Sequence, residues 1–285
     1  MLVIKSVPEL KQLLKPFRLA GKSIGFVPTM GYLHQGHLSL MRQAKADNDV
    51  AVASIFVNPL QFGANEDYSV YPRDLERDSS LAADAGIDVL FTPGVEDMYP
   101  NGFTNMLTFV DVRKVTERLC GAFRPGHFRG VATVVSKLFH IVEPQVAYFG
   151  QKDAQQVVVI KQMVADLNMN VKIVTMPIVR ETDGLAMSSR NVYLTPEERQ
   201  AALSLSRSLK LAETMLRDGC TDAGKIAHAI RAVIEKEPLA VIDYISVSHA
   251  NTIEEQERIE APTLIALAVR FGKTRLIDNM IWEGK

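Results

Sequence analysis

The sequence predicts an α/β fold, in which a doubly wound parallel sheet is followed by a smaller α+β domain. Short apolar segments alternate with segments of helical periodicity over residues 24–176, which is the pattern of repeated βα units. Residues 50–57 are almost wholly apolar, as expected for a strand that is covered on both faces. The pattern changes near Pro177, beyond which helical segments precede strands joined through Gly272 and Lys273. We therefore place a domain boundary between residues 177 and 178.

The first βα unit contains a turn that is suited to bind an anion. Residues 24–27 predict a buried strand, which the Pro-Thr-Met-Gly segment at 28–31 breaks. Apolar residues at helical spacing over 38–44 predict a helix that begins near Gly36. Unpaired backbone N–H groups and the positive end of a helix dipole face such a turn.

The other elements follow the same alternation and give a Rossmann-like sheet over residues 1–177, with the α+β domain over 178–285. Thr195 and Pro196, with acidic residues in the next turn, predict the start of a long helix. The predicted helices cover residues 7–19, 74–85, 115–119, 131–142, 155–167, 196–217 and 222–236. The predicted strands after residue 57 cover residues 89–91, 106–112, 146–149, 171–175, 241–247, 264–271 and 276–277.

Composition limits the function classes. The chain has 285 residues, of which 47% are apolar and 23% charged, and this is ordinary for a globular protein. A net charge of −1 without a Lys/Arg stripe argues against a nucleic-acid partner. Cys120 and Cys220 indicate neither a disulfide framework nor a cysteine metal site. No segment reaches the ~18 apolar residues of a membrane span, so we expect no membrane partner and a cytoplasmic location.

Two histidines, His34 and His37, stand where the first long helix is predicted to begin. They could serve as helix caps, or could bind zinc as an H-x-x-H pair, although no nearby Cys or carboxylate motif completes a metal site. A third interpretation is a phosphate site, which uses the strand end, the turn, the helix N-terminus and both imidazoles together. Gly36 between them lets the backbone approach a ligand closely.

Two further segments suit a polyphosphate. Residues 150–153 follow a predicted strand and open a helix, so Lys152 there is either a solvated side chain or a phosphate clamp. Residues 187–190, Met-Ser-Ser-Arg, are either an exposed polar loop or a mobile lid that brings hydroxyls and a guanidinium over the first site.

The HxGH motif and the MSSR loop, which is similar to KMSKS, resemble the nucleotidylyl-transferase superfamily. Six longer motifs recur in order from Val27 to Asn191 and resemble the pantothenate synthetase (pantoate–β-alanine ligase) family. They are VPTMGxLHxGH, SIFVNPxQF, YPRxLxxD, RPGHFRGV, YFGxKDxQQ and DGLAxSSRN. The resemblance covers most of the chain, and it is much more specific than HxGH alone.

The resemblance implies a two-step reaction. Pantoate attacks the α-phosphorus of ATP to give pantoyl adenylate and pyrophosphate, and the amine of β-alanine then attacks the adenylate to release pantothenate and AMP. ATP and Mg²⁺ are the implied cofactors, and a homodimer is the implied assembly. The metal ligands are unknown, with Asp78 as one candidate to approach Mg²⁺.

The same resemblance assigns residues to roles. Catalytic roles fall to His34, Lys152, Arg190 and His37, the last of which matches a proton donor. The implied ATP-binding residues are Pro28, Thr29, Met30, Gly31, His34, Gly36, His37, Gly150, Gln151, Lys152, Asp153, Val179, Met187, Ser188, Ser189 and Arg190. The implied pantoate and β-alanine contacts are Gln61, Gln156, Asn58 and Tyr71, and Arg124 and His127 are implied to line or cover the pocket.

Physical chemistry supports glutamines as pantoate contacts. Pantoate attacks through its carboxylate, and a bidentate arginine would stabilise that anion in the ground state and reduce its reactivity. Neutral amides such as those of Gln61 and Gln156 can fix the substrate without that penalty. One residue departs from the family pattern, because Cys120 stands where many relatives carry glutamate.

Two other function classes remain open. One is a transferase that moves a nucleotidyl group to a phosphorylated metabolite, as other HxGH proteins do. The other is a nucleotide-binding regulatory module without turnover, which the intact histidines and Lys152 disfavour. The paired glutamines and YFGxKDxQQ favour the ligase. A tRNA synthetase is disfavoured because the sequence shows neither a basic surface nor an anticodon-binding extension.

Overall fold

A computed structural model describes residues 1–63 and 66–284. The chain divides into two compact units, each with its own sheet. The first unit comprises Met1–Arg113, Arg124–Gly150 and Val159–Pro177. The second comprises Lys114–Phe123, Gln151–Val158 and Ile178–Lys285.

The first unit contains a six-stranded sheet in which every pairing is parallel. The spatial order is β1-β4-β3-β2-β5-β6, so the order reverses between β2 and β5, and ligands of doubly wound sheets bind at such a point. The strands are β1 (Leu2–Ile4), β2 (Ile24–Thr29), β3 (Val50–Ile55), β4 (Val89–Phe91), β5 (Val146–Gly150) and β6 (Lys172–Met176). This arrangement confirms the predicted α/β class and its parallel sheet.

Helices follow most strands of the first sheet, and further helices, among them the last two of the described chain, belong to the second unit. Along the described chain they are α1 (Val7–Leu19), α2 (Gln35–Asp47), α3 (Leu75–Asp84), α4 (Val95–Met98), α5 (Cys120–Phe123), α6 (His127–Val142), α7 (Ala154–Asp166), α8 (Pro196–Arg217) and α9 (Ala223–Ile234). Within residues 1–63 and 66–284, no helix combines the length and apolar character that crossing a bilayer requires.

The second unit contains an antiparallel sheet, β7 (Ala240–His249), β8 (Thr263–Phe271) and β9 (Thr274–Trp282). Apolar residues of α8, α9 and this sheet form one buried cluster. Thr195 caps α8 as predicted, because its Oγ1 accepts from the Glu198 N–H at 3.2 Å while Glu198 Oε2 accepts from the Thr195 N–H at 3.0 Å.

Three local predictions were wrong. Pro28 does not break the first strand, because β2 runs to Thr29. β2 pairs with β5 only at Gly25 and Phe26, so no residue of β5 lies beside Pro28 to accept the backbone N–H that proline lacks. Residues 106–112 form no strand, and the N–H of Val110 instead donates to Thr133 Oγ1 at 3.0 Å. Residues 115–119 form turns, and the short helix begins only afterwards at Cys120.

Candidate active site

The two histidines of the HxGH motif cap the start of α2 reciprocally. His34 Nδ1 accepts from the Gly36 N–H at 3.2 Å, and His37 Nδ1 accepts from the His34 N–H at 3.3 Å. The ring centroids lie 4.1 Å apart. A backbone N–H can only donate, so neither Nδ1 carries a proton and each neutral ring holds its proton on Nε2. The pair therefore places two N–H donors at the positive end of a helix dipole.

A buried carboxylate holds the turn that leads into this pair. The two oxygens of Asp78 accept from the Tyr32 N–H at 2.6 Å and the Leu33 N–H at 2.8 Å. Burial raises the pKa of Asp78, while these hydrogen bonds and the Arg77 guanidinium act in the opposite sense. A Cβ on Gly31 would lie 2.8 Å from an Ile55 methyl carbon, and Gly31 has a φ of +81°, so this position requires glycine.

Asp78 is thus a support for the turn. Both of its oxygens are engaged by backbone amides, and its side chain is only 1% exposed, so this geometry gives no support to the predicted approach to Mg²⁺. The sequence signal for this role was weak, since the carboxylate lies over forty residues from the amides that it accepts from.

Asp78→Asn is expected to lower the free energy of unfolding by roughly 1–3 kcal/mol, because an amide NH₂ would face one of the two backbone donors and leave it unsatisfied. Asp84→Asn, at the exposed end of the same helix, is the matched control. Urea denaturation of both variants measures the difference. Equal free energies of unfolding for the two variants would contradict the role of Asp78.

Gln61 ends a 3₁₀ turn, Pro59–Gln61, that follows β3. Its Oε1 accepts from Asn58 Nδ2 at 3.2 Å, and its Nε2 donates to Met30 Sδ at 3.0 Å. The donor end of the Gln61 amide therefore faces the segment at 28–31. The structure thus brings together a predicted pantoate contact and a segment predicted to bind ATP.

Asn58 orients the side chain of Gln61 through the hydrogen bond to its Oε1. Its Nδ2 also donates to the Gly130 carbonyl at 3.2 Å, and its Oδ1 accepts from Tyr99 Oη at 2.7 Å and from the Leu60 N–H at 3.3 Å. Burial raises the pKa of Tyr99, which keeps its hydroxyl protonated as a donor. Both amide hydrogens and both lone pairs of Asn58 are in use in contacts that orient Gln61, and its predicted contact with pantoate or β-alanine stays a prediction.

A second set of contacts fixes the backbone of Gln61. Its carbonyl accepts from His127 Nδ1 at 2.8 Å and from Arg124 Nη2 at 3.4 Å. Arg124 also donates to His127 Nε2 at 2.9 Å, which leaves the ring proton on Nδ1, and binds both oxygens of Glu66 at 2.6 Å. Burial alone would raise the pKa of Glu66, but the bonds and charge of Arg124 lower it overall.

The predicted contact Tyr71 is buried in this unit, and its ring meets Phe62 edge-on with centroids 5.9 Å apart. Thr29 lies at the end of β2, where its Oγ1 donates to the Ser54 carbonyl at 2.8 Å and accepts from the Gly31 N–H at 3.1 Å. These bonds fix the first residues of the turn.

In the second unit, two of the predicted ATP-binding segments have defined backbones. Residues 151–153 form a 3₁₀ turn ahead of α7, in whose first turn Gln156 lies half-buried. Residues 179–187 form a small hairpin, closed by a 3.0 Å hydrogen bond from the Met187 N–H to the Val179 carbonyl. Ser188 then caps the Ser189–Tyr193 turn by accepting from the Arg190 N–H at 3.3 Å.

Comparison with known proteins decides the family. The family model described as pantoate-beta-alanine ligase matches residues 2–281. The chain belongs to the pantoate–β-alanine ligase family. It is therefore an enzyme, a ligase that joins pantoate to β-alanine, and the activity predicted from the sequence is confirmed.

Curated and solved relatives agree with this assignment. A pantothenate synthetase from Acetivibrio thermocellus is 59% identical over 283 residues, covering 99% of this chain and 100% of that protein. The crystal structure of a pantothenate synthetase from Thermus thermophilus has a TM-score of 0.93 at 47% identity and covers 98% of this chain and 99% of that one. A pantoate-β-alanine ligase from Francisella tularensis, complexed with beta-gamma ATP and β-alanine, has a TM-score of 0.79 at 36% identity, covering 99% and 97%.

Sequence reasoning did not identify residues of this pantoate–β-alanine ligase that support other residues by hydrogen bonds. Gln155, next to the predicted contact Gln156, accepts from the Cys120 N–H at 2.9 Å and donates to the carbonyls of Val115 at 2.9 Å and Arg118 at 2.7 Å. Its position in YFGxKDxQQ was the only signal in the sequence. The partners lie 35 to 40 residues away, which no local pattern reveals.

Cys120, the departure from the family pattern, lies beside a guanidinium. Its Sγ is 3.3 Å from Tyr244 Oη and 3.5 Å from Arg275 Nη1. Arg275 also donates to Asp243 Oδ2 at 2.7 Å, whereas its Nη2 has no hydrogen-bond partner among the described residues.

Proposed function

We propose that this ligase activates pantoate as an adenylate before it joins the pantoyl group to β-alanine. A carboxylate oxygen of pantoate attacks the α-phosphorus of ATP, and pyrophosphate leaves with the electron pair of the broken P–O bond. The amine of β-alanine then attacks the acyl carbon, and AMP leaves as pantothenate forms. Negative charge gathers on phosphoryl oxygens in the first step, so catalysis is chiefly positioning and charge stabilisation.

The observation that carries this proposal is the reciprocal capping of His34 and His37. Capping fixes both rings at the start of α2 with their protons on Nε2, where they can donate to phosphoryl oxygens. We assign the same work to Lys152 and Arg190, whose charges suit a polyphosphate, and the proton-donor role to His37. The ATP contacts proposed alongside them are Pro28, Thr29, Met30, Gly31, Gly36, Gly150, Gln151, Asp153, Val179, Met187, Ser188 and Ser189.

We assign pantoate to Gln61 and Gln156. Gln61 Oε1 accepts from Asn58 and one hydrogen of Gln61 Nε2 goes to Met30 Sδ, so the second hydrogen of Nε2 is the donor that we assign to a carboxylate or hydroxyl of pantoate. A neutral donor orients the nucleophile without trapping it as an ion pair. Tyr71 is the further contact proposed for this substrate.

Mg²⁺ is the proposed cofactor of adenylation. Within residues 1–63 and 66–284, no group of three or more His, Cys, Asp or Glu side chains could hold a metal ion. Mg²⁺ commonly keeps several waters and binds through substrate phosphates, so we propose that it enters with ATP. It would there neutralise part of the phosphate charge.

The reaction is tested by measuring pyrophosphate release with ATP, Mg²⁺ and pantoate, with and without β-alanine. We expect a first turnover of pyrophosphate without β-alanine, and continued release together with AMP and pantothenate when it is present. Release that does not depend on pantoate, or transfer of the nucleotidyl group to a phosphorylated acceptor, would refute the proposal.

We also propose a cytoplasmic homodimer, in which residues 1–177 bind ATP and pantoate and residues 178–285 act as a lid domain. The family resemblance supports the dimer, and the absence of a disulfide framework in the sequence is typical of a reducing compartment. Sedimentation equilibrium tests the assembly, for which a mass near 31.6 kDa, that of one chain, would exclude the dimer.

Gln156→Ala is expected to raise the KM for pantoate roughly 5- to 100-fold and to leave the KM for ATP within about twofold, because one hydrogen bond in a polar pocket contributes about 1–3 kcal/mol when its partner is left unpaired. Gln162→Ala is the control and should change neither value, because Gln162 is an exposed glutamine of the same helix whose side chain donates to Asp166 Oδ1 at 2.7 Å. Initial rates at varied pantoate and varied ATP give both constants. An equal defect for ATP would contradict the assignment.

A further inference from the structure

Two adjacent polar residues of the last strand are buried. Asp278 and Asn279 in β9 are 2% and 3% exposed, in a strand that otherwise contributes apolar residues to the second unit's core. Successive side chains of a strand point to opposite faces of the sheet, so these two reach different segments. Burying polar groups costs free energy unless they are hydrogen-bonded, and both residues are fully engaged.

Asn279 holds the backbone of the turn that carries Lys152. Its Nδ2 donates to the carbonyl of Gln151 at 2.9 Å and to that of Lys152 at 3.0 Å, and its Oδ1 accepts from Gln151 Nε2 at 3.3 Å. Both amide hydrogens thus go to consecutive carbonyls of one 3₁₀ turn. This turn is three residues long. The contacts with Asn279 therefore restrict the orientation of its backbone and the direction in which the Lys152 side chain extends.

Asp278 holds the hairpin formed by residues 179–187. Its two oxygens accept from Arg180 Nη1 at 2.7 Å and Nη2 at 2.9 Å, and Arg180 Nη1 also donates to the Gly184 carbonyl at 3.1 Å. A bidentate arginine–carboxylate pair fixes geometry more strictly than a single contact does. One pair of neighbouring residues therefore sets the spacing between the Lys152 turn and this hairpin.

We propose that Asn279 is a positioning residue that orients Lys152 towards the phosphates of ATP. Asp278, the preceding residue of β9, holds the hairpin at 179–187 in place beside the Lys152 turn. The proposal rests on the function proposed for Lys152 above. Asn279 touches no substrate in this scheme and acts through the 151–152 backbone and the side chain of Gln151. Small displacements of a positioning group can cost about 10²-fold in rate, which gives the scale of effect to expect.

Asn279→Ala is expected to lower kcat/KM for ATP about 10- to 100-fold in pyrophosphate release, while the KM for β-alanine stays within about twofold. Asn279→Asp keeps the shape but replaces the donor by an oxygen that faces two carbonyls, so the same selective loss is expected and it serves if the alanine variant fails to fold. Thr263→Val is the matched control: Thr263 is buried in the adjacent β8, and within the described residues its hydroxyl bonds Gln256 Oε1 at 2.7 Å and the Glu260 carbonyl at 3.0 Å, away from the Lys152 turn. It should lower stability but leave ATP kinetics unchanged.

The double variant Asn279→Ala, Lys152→Ala separates a positioning role from a merely structural one. If Asn279 acts through Lys152, its substitution adds little further loss of ATP kinetics once the lysine is gone, whereas Thr263→Val leaves ATP kinetics unchanged in both backgrounds. Additive losses from Asn279 and Lys152 would overturn the proposal, as would normal ATP kinetics in the folded Asn279 variants. If Lys152→Ala alone left ATP use unchanged, the function proposed for Lys152 would fail instead.

Discussion

Replacing His37 by alanine is expected to slow formation of pantoyl adenylate roughly 10²–10³-fold, which is typical of a lost electrostatic contact in a transition state. His37 accepts the His34 N–H through Nδ1, so its Nε2 proton is held at the start of α2 for donation to a phosphoryl oxygen. Alanine removes that donor and also the cap on the helix. Single-turnover quenching with enzyme in excess over ATP measures the adenylation step separately from release.

His37→Gln separates the chemical role of His37 from its capping role. Glutamine at the third helical position can accept from the N-cap N–H, as in a capping box, so this variant should melt close to the parent temperature. It lacks an imidazole, so its adenylation rate should fall as far as that of the alanine variant. His140→Ala, which removes a ring that contacts the Ser136 carbonyl of α6, is a control for loss of any histidine. Near-normal adenylate formation in His37→Ala would contradict the proposed role.

Local sequence patterns predicted the fold well because the signals that define it are themselves local. The apolar run at 50–57, the helical spacing over 131–142 and the Thr195 cap each depend on residues a few positions apart, and each element formed where it was predicted. The failed strand at 106–112 differs, since its backbone bonds to a helix side chain rather than to another strand. That choice depends on tertiary packing and not on β-propensity.

The candidate site likewise contains residues that local sequence patterns predicted and residues that they did not. Histidines at a predicted helix start could be located from spacing alone, and the structure places them there as caps. The residues that support the site could not be located from spacing. Asp78, Tyr99 and Asn279 form hydrogen bonds with residues that lie 41 to 128 positions away in the sequence. A buried polar side chain in the sequence is indistinguishable from an exposed one until its partners are known, so supporting residues need coordinates.

At Gly130, a preference that can be read from the sequence and a contact that only the structure shows act in opposite directions. This position gives the second large expected effect. It lies inside α6, where glycine normally costs about 0.5–1 kcal/mol relative to alanine. A Cβ at this position would collide with the carbonyl of Leu60 and lie 2.7 Å from the backbone nitrogen of Gln61. These are backbone atoms of the turn that presents Gln61, so neither can rotate away. Helix propensity and packing therefore predict opposite signs for the same substitution, and the backbone collision outweighs the gain in propensity.

Gly130→Ala is expected to lower the free energy of unfolding by roughly 1–3 kcal/mol, the cost of overpacking a filled site, despite the better helix propensity of alanine. Displacement of the Gln61 turn should also raise the KM for pantoate at least tenfold, since misplacing a binding group by about 1 Å can cost about 10²-fold. Gly224→Ala is the matched control, because that helical glycine is exposed and its Cβ would lie 3.3 Å from a side-chain oxygen of Asp222 rather than against backbone atoms. The control should be neutral or stabilising, with unchanged kinetics. A Gly130→Ala enzyme as stable and as active as Gly224→Ala would mean that α6 does not press on the Gln61 turn as closely as these distances require.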